Sequence, residues 1–586
     1  MKLIARYCRP YALRMLYGLF IKIVGTFADL GLPWVLSYIL DEVVPVGEIR
    51  PVLYWGAFML FLAVAARYCN ILANRKASLV ARDVTRAIRH DLFVKTMNLS
   101  GRQTDTLHIP SLVSRMTSDT YNIHQMVGMM QRLGVRAPMI LIGGIIITLT
   151  MEPVLTLVLV ILLPILGSLI FYISRKGIPL YKKVQSSMDS MVRIMRENIS
   201  GIRVIKALSK TEYEKKRFAE ANDGMLHREL RAGSIMALSG PLMALLLNIG
   251  LTLVVVVGAY RVNAGASEPG KIVAFLSYFT MILNAVIMIN RIFMVASKAT
   301  ASAGRIEEVL DAPGDLLLLE PSEEESRRNN AKAVLHERVP HIEFKHVSFG
   351  YHASEGETEK YCIRDISFRL YHGESLGIIG STGCGKTTLL NLLMRFYDVT
   401  EGQILIDGTD IREIPLTTLR ARFGVVFQND VVFADTLKEN ISFGRALDDT
   451  AVAKAAKDAL AAGFIEGKAE GYCHKAAIKG ADLSGGQRQR LLVARALAGT
   501  PEVLLLDDAS SALDYRTDAE IRKNIREHYA DTTTILVAQR ASSVMQMNNI
   551  LVLEEGTCIG YGPHEELMEH CEIYHEIATQ QMGDVE

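Results

Sequence analysis

The chain has 586 residues, too many for one hydrophobic core, so at least two domains are expected. Hydrophobic residues make up 50% and charged residues 22%, with a mean hydropathy of +0.21, values that lean towards a membrane protein. The formal net charge of +1 gives no basis for nucleic-acid binding, and no nucleic-acid partner is expected.

Seven cysteines (Cys8, Cys69, Cys362, Cys384, Cys473, Cys558, Cys571) are scattered without a CxxC pair, which argues against a cysteine metal centre or a disulfide frame. The N-terminus opens Met1-Lys2 with Arg6 and Arg9 ahead of an apolar run. No small-residue cleavage site follows and the run outlasts a signal core, so a retained first span is expected.

A helix needs roughly 20 mostly apolar residues to cross the bilayer core. Six segments qualify, at about 13–40, 52–74, 134–151, 153–174, 235–260 and 271–294. The fourth is nearly pure Val, Leu and Ile, whereas the first carries Asp29 and Pro33. Connections after spans one, three and five are short and poor in basic residues; those after spans two and four are long and rich in Lys and Arg. The positive-inside rule then predicts a multi-pass protein of the cell membrane with the long connections, both termini and the following domain in the cytoplasm. Arg75 to Leu99 and Tyr181 to Leu208 show helical patterning with mixed charge, so the spans are expected to extend beyond the bilayer. Polar residues inside spans (Asp29, Arg67, Asn248, Asn284, Asn290, Arg291) are either functional or bonded between helices. Span six is also rich in flexible methionine (Met281, Met288, Met294), which would suit varied apolar ligands.

From Asp311 to about Pro340 the composition changes to a linker, with Pro313-Gly314, an acidic run at Glu323 to Glu325 and Asn329-Asn330. Short β-branched strands then alternate with helical patterns, the signature of an α/β domain. Within it the apolar strand Leu376 to Ile379 runs into Gly380-Ser381-Thr382-Gly383-Cys384-Gly385-Lys386-Thr387, with a helix opening at Thr388. This is GxxxxGK[ST] in the strand-loop-helix setting that the motif requires. Glycines let backbone N–H groups turn inward around phosphates, Lys386 reaches the β- and γ-phosphates, and the Thr387 hydroxyl suits Mg²⁺. Cys384 reads as a small filler of the loop. Val503 to Asp508 is an apolar strand ending in two carboxylates, of which Asp507 is placed to hold Mg²⁺ through water.

Leu483-Ser484-Gly485-Gly486-Gln487 resembles the signature sequence of ABC transporters, and the order of parts agrees along the whole chain. Tyr351 in Val347 to Tyr351 looks like the aromatic platform for adenine, Gln428 sits where the family has its Q-loop, and Ser511 to Asp514 looks like the D-loop. Ser111 to Asp119, Gly201 to Lys206 and Ala301 to Ile306 are similar to cytoplasmic segments of ABC exporters. The resemblance implies an all-α six-helix transmembrane domain (1–310), a linker (311–340) and an α/β P-loop ABC nucleotide-binding domain (341–586). It also implies ATP and Mg²⁺ as cofactors: ATP on Tyr351, Gly380 to Thr388 and Gln428, and Mg²⁺ at Thr387, Gln428 and Asp507. Two chains would pack head to tail, each ATP lying between one phosphate loop and the LSGGQ of the other chain. Helices at the loop tips, near Leu107–Ser114 and Ser209–Lys216, would transmit the motion.

Two positions depart from the family. Asp508 stands where a Glu general base is usual, and Gln539 where a His is usual. Asp is one methylene shorter, and a displacement of about 1 Å can lower a rate about 10²-fold. Gln hydrogen-bonds a phosphate but carries neither proton nor charge. The stretch from His474 to Gly480 also lacks the acidic residues expected before LSGGQ. The pattern resembles the degenerate subunit of heterodimeric bacterial multidrug exporters, paired with a non-identical half-transporter that supplies Glu and His. It implies a slow ATPase subunit whose partners also include membrane lipids and a small hydrophobic substrate. The alternatives are a homodimer that tolerates Asp and Gln, a lipid or peptide exporter half, and a regulatory subunit.

Overall fold

In the computed structural model, which describes residues 1–314, 316, 339–351 and 361–582, the long apolar segments form helices far longer than a bilayer requires. They are α1 (Lys2–Val46), α2 (Ile49–Met97), α3 (Ile109–Met151), α4 (Pro153–Ser200), α5 (Thr211–Asn263) and α6 (Pro269–Leu310). At 1.5 Å per residue the shortest, of 42 residues, is about twice the length of a hydrocarbon core. The mixed-charge stretches are therefore direct continuations of the spans: α2 runs unbroken to Met97 and α4 to Ser200.

By its contacts the chain divides into two units, Met1–Met97 with Pro110–Ala312, and Asn98–Ile109 with Pro313–Glu586. Most of the linker expected at 311–340 lies outside the described residues.

In the helical unit, α1 continues through Pro33, whose ring removes one backbone donor. Beside that break Tyr278 Oη on α6 donates to the Leu30 carbonyl at 2.5 Å. Asp29 is buried and is met from two other helices, by Arg136 Nη2 at 3.0 Å and Asn70 Nδ2 at 3.2 Å. One side of α1 also carries buried Lys22, whose Nζ donates to Asn74 Oδ1 at 3.1 Å. Charges at such depth persist only when paired, and Asp29, one of the six polar positions singled out in the sequence, is drawn into such a network. Farther along, Asp119 is buried and accepts from Ser302 Oγ at 2.8 Å and Arg305 Nε at 2.8 Å, joining the Ser111–Asp119 and Ala301–Ile306 segments.

The short helix expected near Leu107–Ser114 is present as Ile109–Ser114, the first turns of α3, and a further short helix precedes each expected position. One is Gly101–Leu107, opened by a reciprocal cap in which Ser100 Oγ accepts from Gln103 N and Gln103 Oε1 accepts from Ser100 N. The other is Ile202–Ala207, bounded by Gly201 and by Ser209 in the left-handed region (φ 54°), so that Thr211 already begins α5.

The second unit is built on two sheets, from β1 (Ile342–Phe349), β2 (Ile363–Leu370), β3 (Ser375–Gly380), β4 (Glu401–Ile406), β5 (Thr409–Asp410), β6 (Phe423–Val426), β7 (Val503–Asp507), β8 (Thr533–Val537), β9 (Asn549–Glu554) and β10 (Thr557–Gly562). An antiparallel sheet has the order β2-β1-β4-β5. The larger has the order β10-β9-β3-β8-β7-β6, parallel except for the β9-β10 hairpin. All five residues of β7 are buried, as expected of a strand covered on both faces. Because β3, β8 and β7 are parallel neighbours, the segments leaving β3, β7 and β8 emerge at one edge, where α/β sheets bind ligands.

Candidate nucleotide site

The loop leaving β3 is shaped by its glycines. Gly380 packs so closely that a Cβ there would lie 2.2 Å from the Leu553 carbonyl oxygen. Gly385 caps helix α7 (Lys386–Leu393) at φ 102°, a backbone region that side chains rarely adopt. Between them Cys384 is buried in the apolar core, the filler role expected of it. Ser381, Thr382 and Gly383 form the exposed lip of the loop. Lys386 Nζ folds back over the loop and donates to the carbonyls of Gly380 at 2.8 Å and Ser381 at 2.7 Å.

The Thr387 hydroxyl donates to Asp507 Oδ2 at 2.9 Å. Asp507 is almost fully buried, and burial pushes its carboxyl above the usual carboxylate range; Asp508 beside it pushes the same way, while Thr387 and Lys386 oppose both. A buried carboxylate next to a hydroxyl and a helix N-terminus suits a hard divalent cation beside a phosphate. Thr387, Asp507 and Gln428, exposed in the turn after β6, are the oxygen donors available to Mg²⁺.

Asp508 has different surroundings. Its backbone is in the left-handed region (φ 52°), which Asp tolerates better than most residues, and its N–H donates to the Val537 carbonyl at 3.1 Å. Its Oδ2 accepts from Gln539 Nε2 at 3.1 Å, and its carboxylate is also hydrogen-bonded by Gln428. Partial burial raises its pKa above the ordinary value, against the pull of Lys386, Arg540 and the Gln428 bond. Gln539 is held in turn through its backbone, its carbonyl accepting from Gln581 Nε2 at 3.0 Å while Gln581 Oε1 accepts from Ala541 N at 2.7 Å. This C-terminal brace was not anticipated from the sequence.

Tyr351 is 41% exposed, with its hydroxyl 3.2 Å from Thr388 Oγ1 and its ring edge-on to Phe349 and Tyr397. Tyr397 Oη in turn donates to Asp105 Oδ2 at 2.6 Å, on the Gly101–Leu107 helix, and Gly101 N donates to the Phe396 carbonyl at 3.1 Å. A cavity of about 350 Å³ lies among Tyr351, Tyr397, Arg102 and Asp105.

The LSGGQ segment stands apart from this cluster. Leu483 is half-buried, and Ser484 caps α8 (Gly485–Leu497) reciprocally with Gln487: Ser484 Oγ accepts from Gln487 N at 3.2 Å and Gln487 Oε1 accepts from Ser484 N at 3.0 Å. Ser484 and Gly485 are exposed at that helix start. Gly486 lies against residue 512, where a Cβ would be 3.4 Å from the Ala512 carbonyl oxygen. Asp514 caps α9 (Tyr515–His528), accepting from Thr517 N at 2.9 Å and Thr517 Oγ1 at 2.8 Å. Just beyond 474–480, Asp482 pairs with His474 Nε2 at 3.0 Å and accepts from Ala477 N at 2.8 Å.

Comparison with known proteins agrees with this layout. Residues 15–286 match the ABC transporter transmembrane region and residues 363–511 match the ABC transporter ATP-binding family. An uncharacterized ABC transporter ATP-binding protein of Mycobacterium tuberculosis is 33% identical over 583 residues, 99% of this chain and 98% of that protein. An ATP-dependent lipid A-core flippase of Syntrophus aciditrophicus is 28% identical over 588 residues, 100% of this chain and 94% of that protein. A bacterial Atm1-family ABC exporter solved with ATP bound matches with a TM-score of 0.79 and 25% identity, over 98% of this chain and 99% of that one.

Proposed function

Because this chain belongs to the ABC transporter family, with transmembrane region and ATP-binding domain in one polypeptide, we propose that it is the slower half of an unequal exporter pair. Its own site binds ATP and turns it over slowly, and its LSGGQ completes a faster site on a non-identical partner.

The observation that carries this reading is the Asp508–Gln539 contact. A general base must reach the attacking water and take its proton. Asp508 is short, and its Oδ2 accepts a bond from a carboxamide that cannot relay a proton. The binding parts are intact by contrast. Tyr351 offers a ring to adenine, the N–H groups from Gly380 to Thr388 cradle phosphate, and Lys386 exchanges its loop carbonyls for the β- and γ-phosphates. Thr387, Gln428 and Asp507 hold Mg²⁺, which supplies charge neutralisation of the phosphate oxygens. Ser484 and the N–H groups of Gly485 and Gly486, at a helix start, suit the γ-phosphate of an ATP held by a facing domain. Asp514 shapes the turn that borders Gly486.

The cargo is read as hydrophobic or amphipathic compounds, from six apolar helices and the methionines of α6. Lipid export is a second reading, favoured by the full-length similarity to a lipid A-core flippase. Purified alone into liposomes, the chain should show little ATPase activity; co-expression with a half-transporter carrying Glu and His at these two positions should raise it strongly. Full activity from the chain alone sinks the unequal-pair reading. Stimulation by amphipathic drugs or by added lipid separates the two cargoes.

A further inference from the structure

At the edge of the ABC unit opposite the phosphate loop, a second polar cluster takes no part in the nucleotide site. His341 directly precedes β1, His372 lies in the turn from β2 to β3, and Asp407 in the turn from β4 to β5. Asp407 N donates to the His341 carbonyl at 3.0 Å, which ties two of the three backbones together. The imidazoles of His341 and His372 stack with centroids 3.7 Å apart, and His372 Nε2 lies 2.8 Å from Asp407 Oδ1.

His341 Nδ1 is 2.7 Å from Thr533 Oγ1, which also receives the Gly373 N–H at 3.2 Å and lies 3.4 Å from the Tyr371 carbonyl. When the Thr533 hydroxyl donates to Tyr371, it accepts from His341 Nδ1–H, the tautomer that metal binding through Nε2 requires. The lone pair is then on Nε2. That atom is fully buried and has no hydrogen-bond partner among the described residues, although a buried polar group without one is costly. The opposite tautomer would strand an N–H there.

We propose that His341, His372 and Asp407 form a binding site for a divalent transition metal ion of the zinc class, with His341 Nε2 as the buried ligand. Among the described residues they are the group of His, Cys, Asp and Glu whose ligand atoms converge, all within 4.8 Å of one another. Tetrahedral ligands around zinc lie about 3.3 Å apart, given bonds of about 2.0–2.1 Å. His372 and Asp407 are exposed and can turn towards the buried His341; His372 has to leave its stack for this, because the ion lies in the plane of each imidazole that binds it. Two imidazoles and one carboxylate favour Zn²⁺, Co²⁺ or Ni²⁺ over Mg²⁺ and Ca²⁺, which take oxygen. The outer contacts are those such a site needs: Thr533 orients His341, and Arg422 Nη1 holds Asp407 Oδ2 at 2.8 Å, leaving Oδ1 towards the histidines. Bound metal would clip the start of β1 to two turns.

Zn²⁺ titration of the metal-stripped full-length chain in detergent, without nucleotide, tests this by calorimetry and by thermal unfolding. The unmodified chain should bind one more Zn²⁺ than either His372→Ala or Asp407→Asn, or bind it at least tenfold more tightly, and only it should gain thermal stability from Zn²⁺. Co²⁺ should give visible absorption bands of a four-coordinate ion that both variants lose. His346→Ala, which removes another exposed histidine, paired with Asp365 at 2.6 Å, should leave binding unchanged. Equal Zn²⁺ binding by the unmodified chain and both variants, or displacement by equimolar Mg²⁺, would overturn the assignment.

Discussion

Asp507 and Asp508 are neighbours at the end of β7, yet their surroundings differ in kind. Asp507 is buried, continues the strand and accepts the Thr387 hydroxyl of the phosphate loop. Asp508 turns into the left-handed region, is partly exposed and accepts from the Gln539 and Gln428 carboxamides. The first arrangement is organised to hold a cation and a phosphate. The second holds a carboxylate still without giving it a proton relay. On the proposed reading binding and hydrolysis are separable in this chain, because they rest on different neighbours of one strand end.

The comparison is broken most severely by restoring both departures. Asp508→Glu with Gln539→His should raise turnover of the chain alone by up to about 10²–10⁴-fold, measured as phosphate release at saturating ATP. If the double variant is no faster, the defect lies elsewhere than in these two residues. Asp508→Glu alone should recover about 10²-fold if carboxylate reach is the main fault; no gain would place the weight on Gln539. On the binding side, Lys386→Ala should weaken ATP binding about 10- to 100-fold in equilibrium binding, the size of lost charge-assisted hydrogen bonds, while leaving the fold intact by circular dichroism. The smallest effect is expected at Tyr397→Phe. It keeps the ring beside Tyr351 and removes the bond to Asp105, so ATP affinity should hold while stability falls by less than about 1 kcal/mol. A large loss of ATP affinity in that variant would mean that the bond to Asp105, rather than the ring, sets the adenine platform.

The binding region was the more legible of the two. Gly380, Gly385, Lys386 and Thr387 act through backbone shape and a helix start, which a contiguous motif encodes completely. The Asp508–Gln539 contact joins residues 31 apart, just past the ends of two neighbouring parallel strands, and sequence reveals the two departures but not that they touch. In the helical unit periodicity marks spans but not which faces meet, so Asp29 stood out as anomalous while Arg136 and Asn70 remained unseen. The short helix at Gly101–Leu107 is signalled in the sequence by Ser100 and Gln103, a capping pair at the right spacing. His341, His372 and Asp407 come from three separate strand ends and follow no metal-ligand spacing, so only the sheet registers bring them together.

The most direct test of the slow-site account is the fate of ATP on the purified, unmodified chain reconstituted in lipid with Mg²⁺. The account predicts that ATP binds and remains largely unhydrolysed, with turnover well below about 1 s⁻¹. Steady hydrolysis by this chain alone within the ordinary enzymatic range of about 1–10³ s⁻¹ would contradict it.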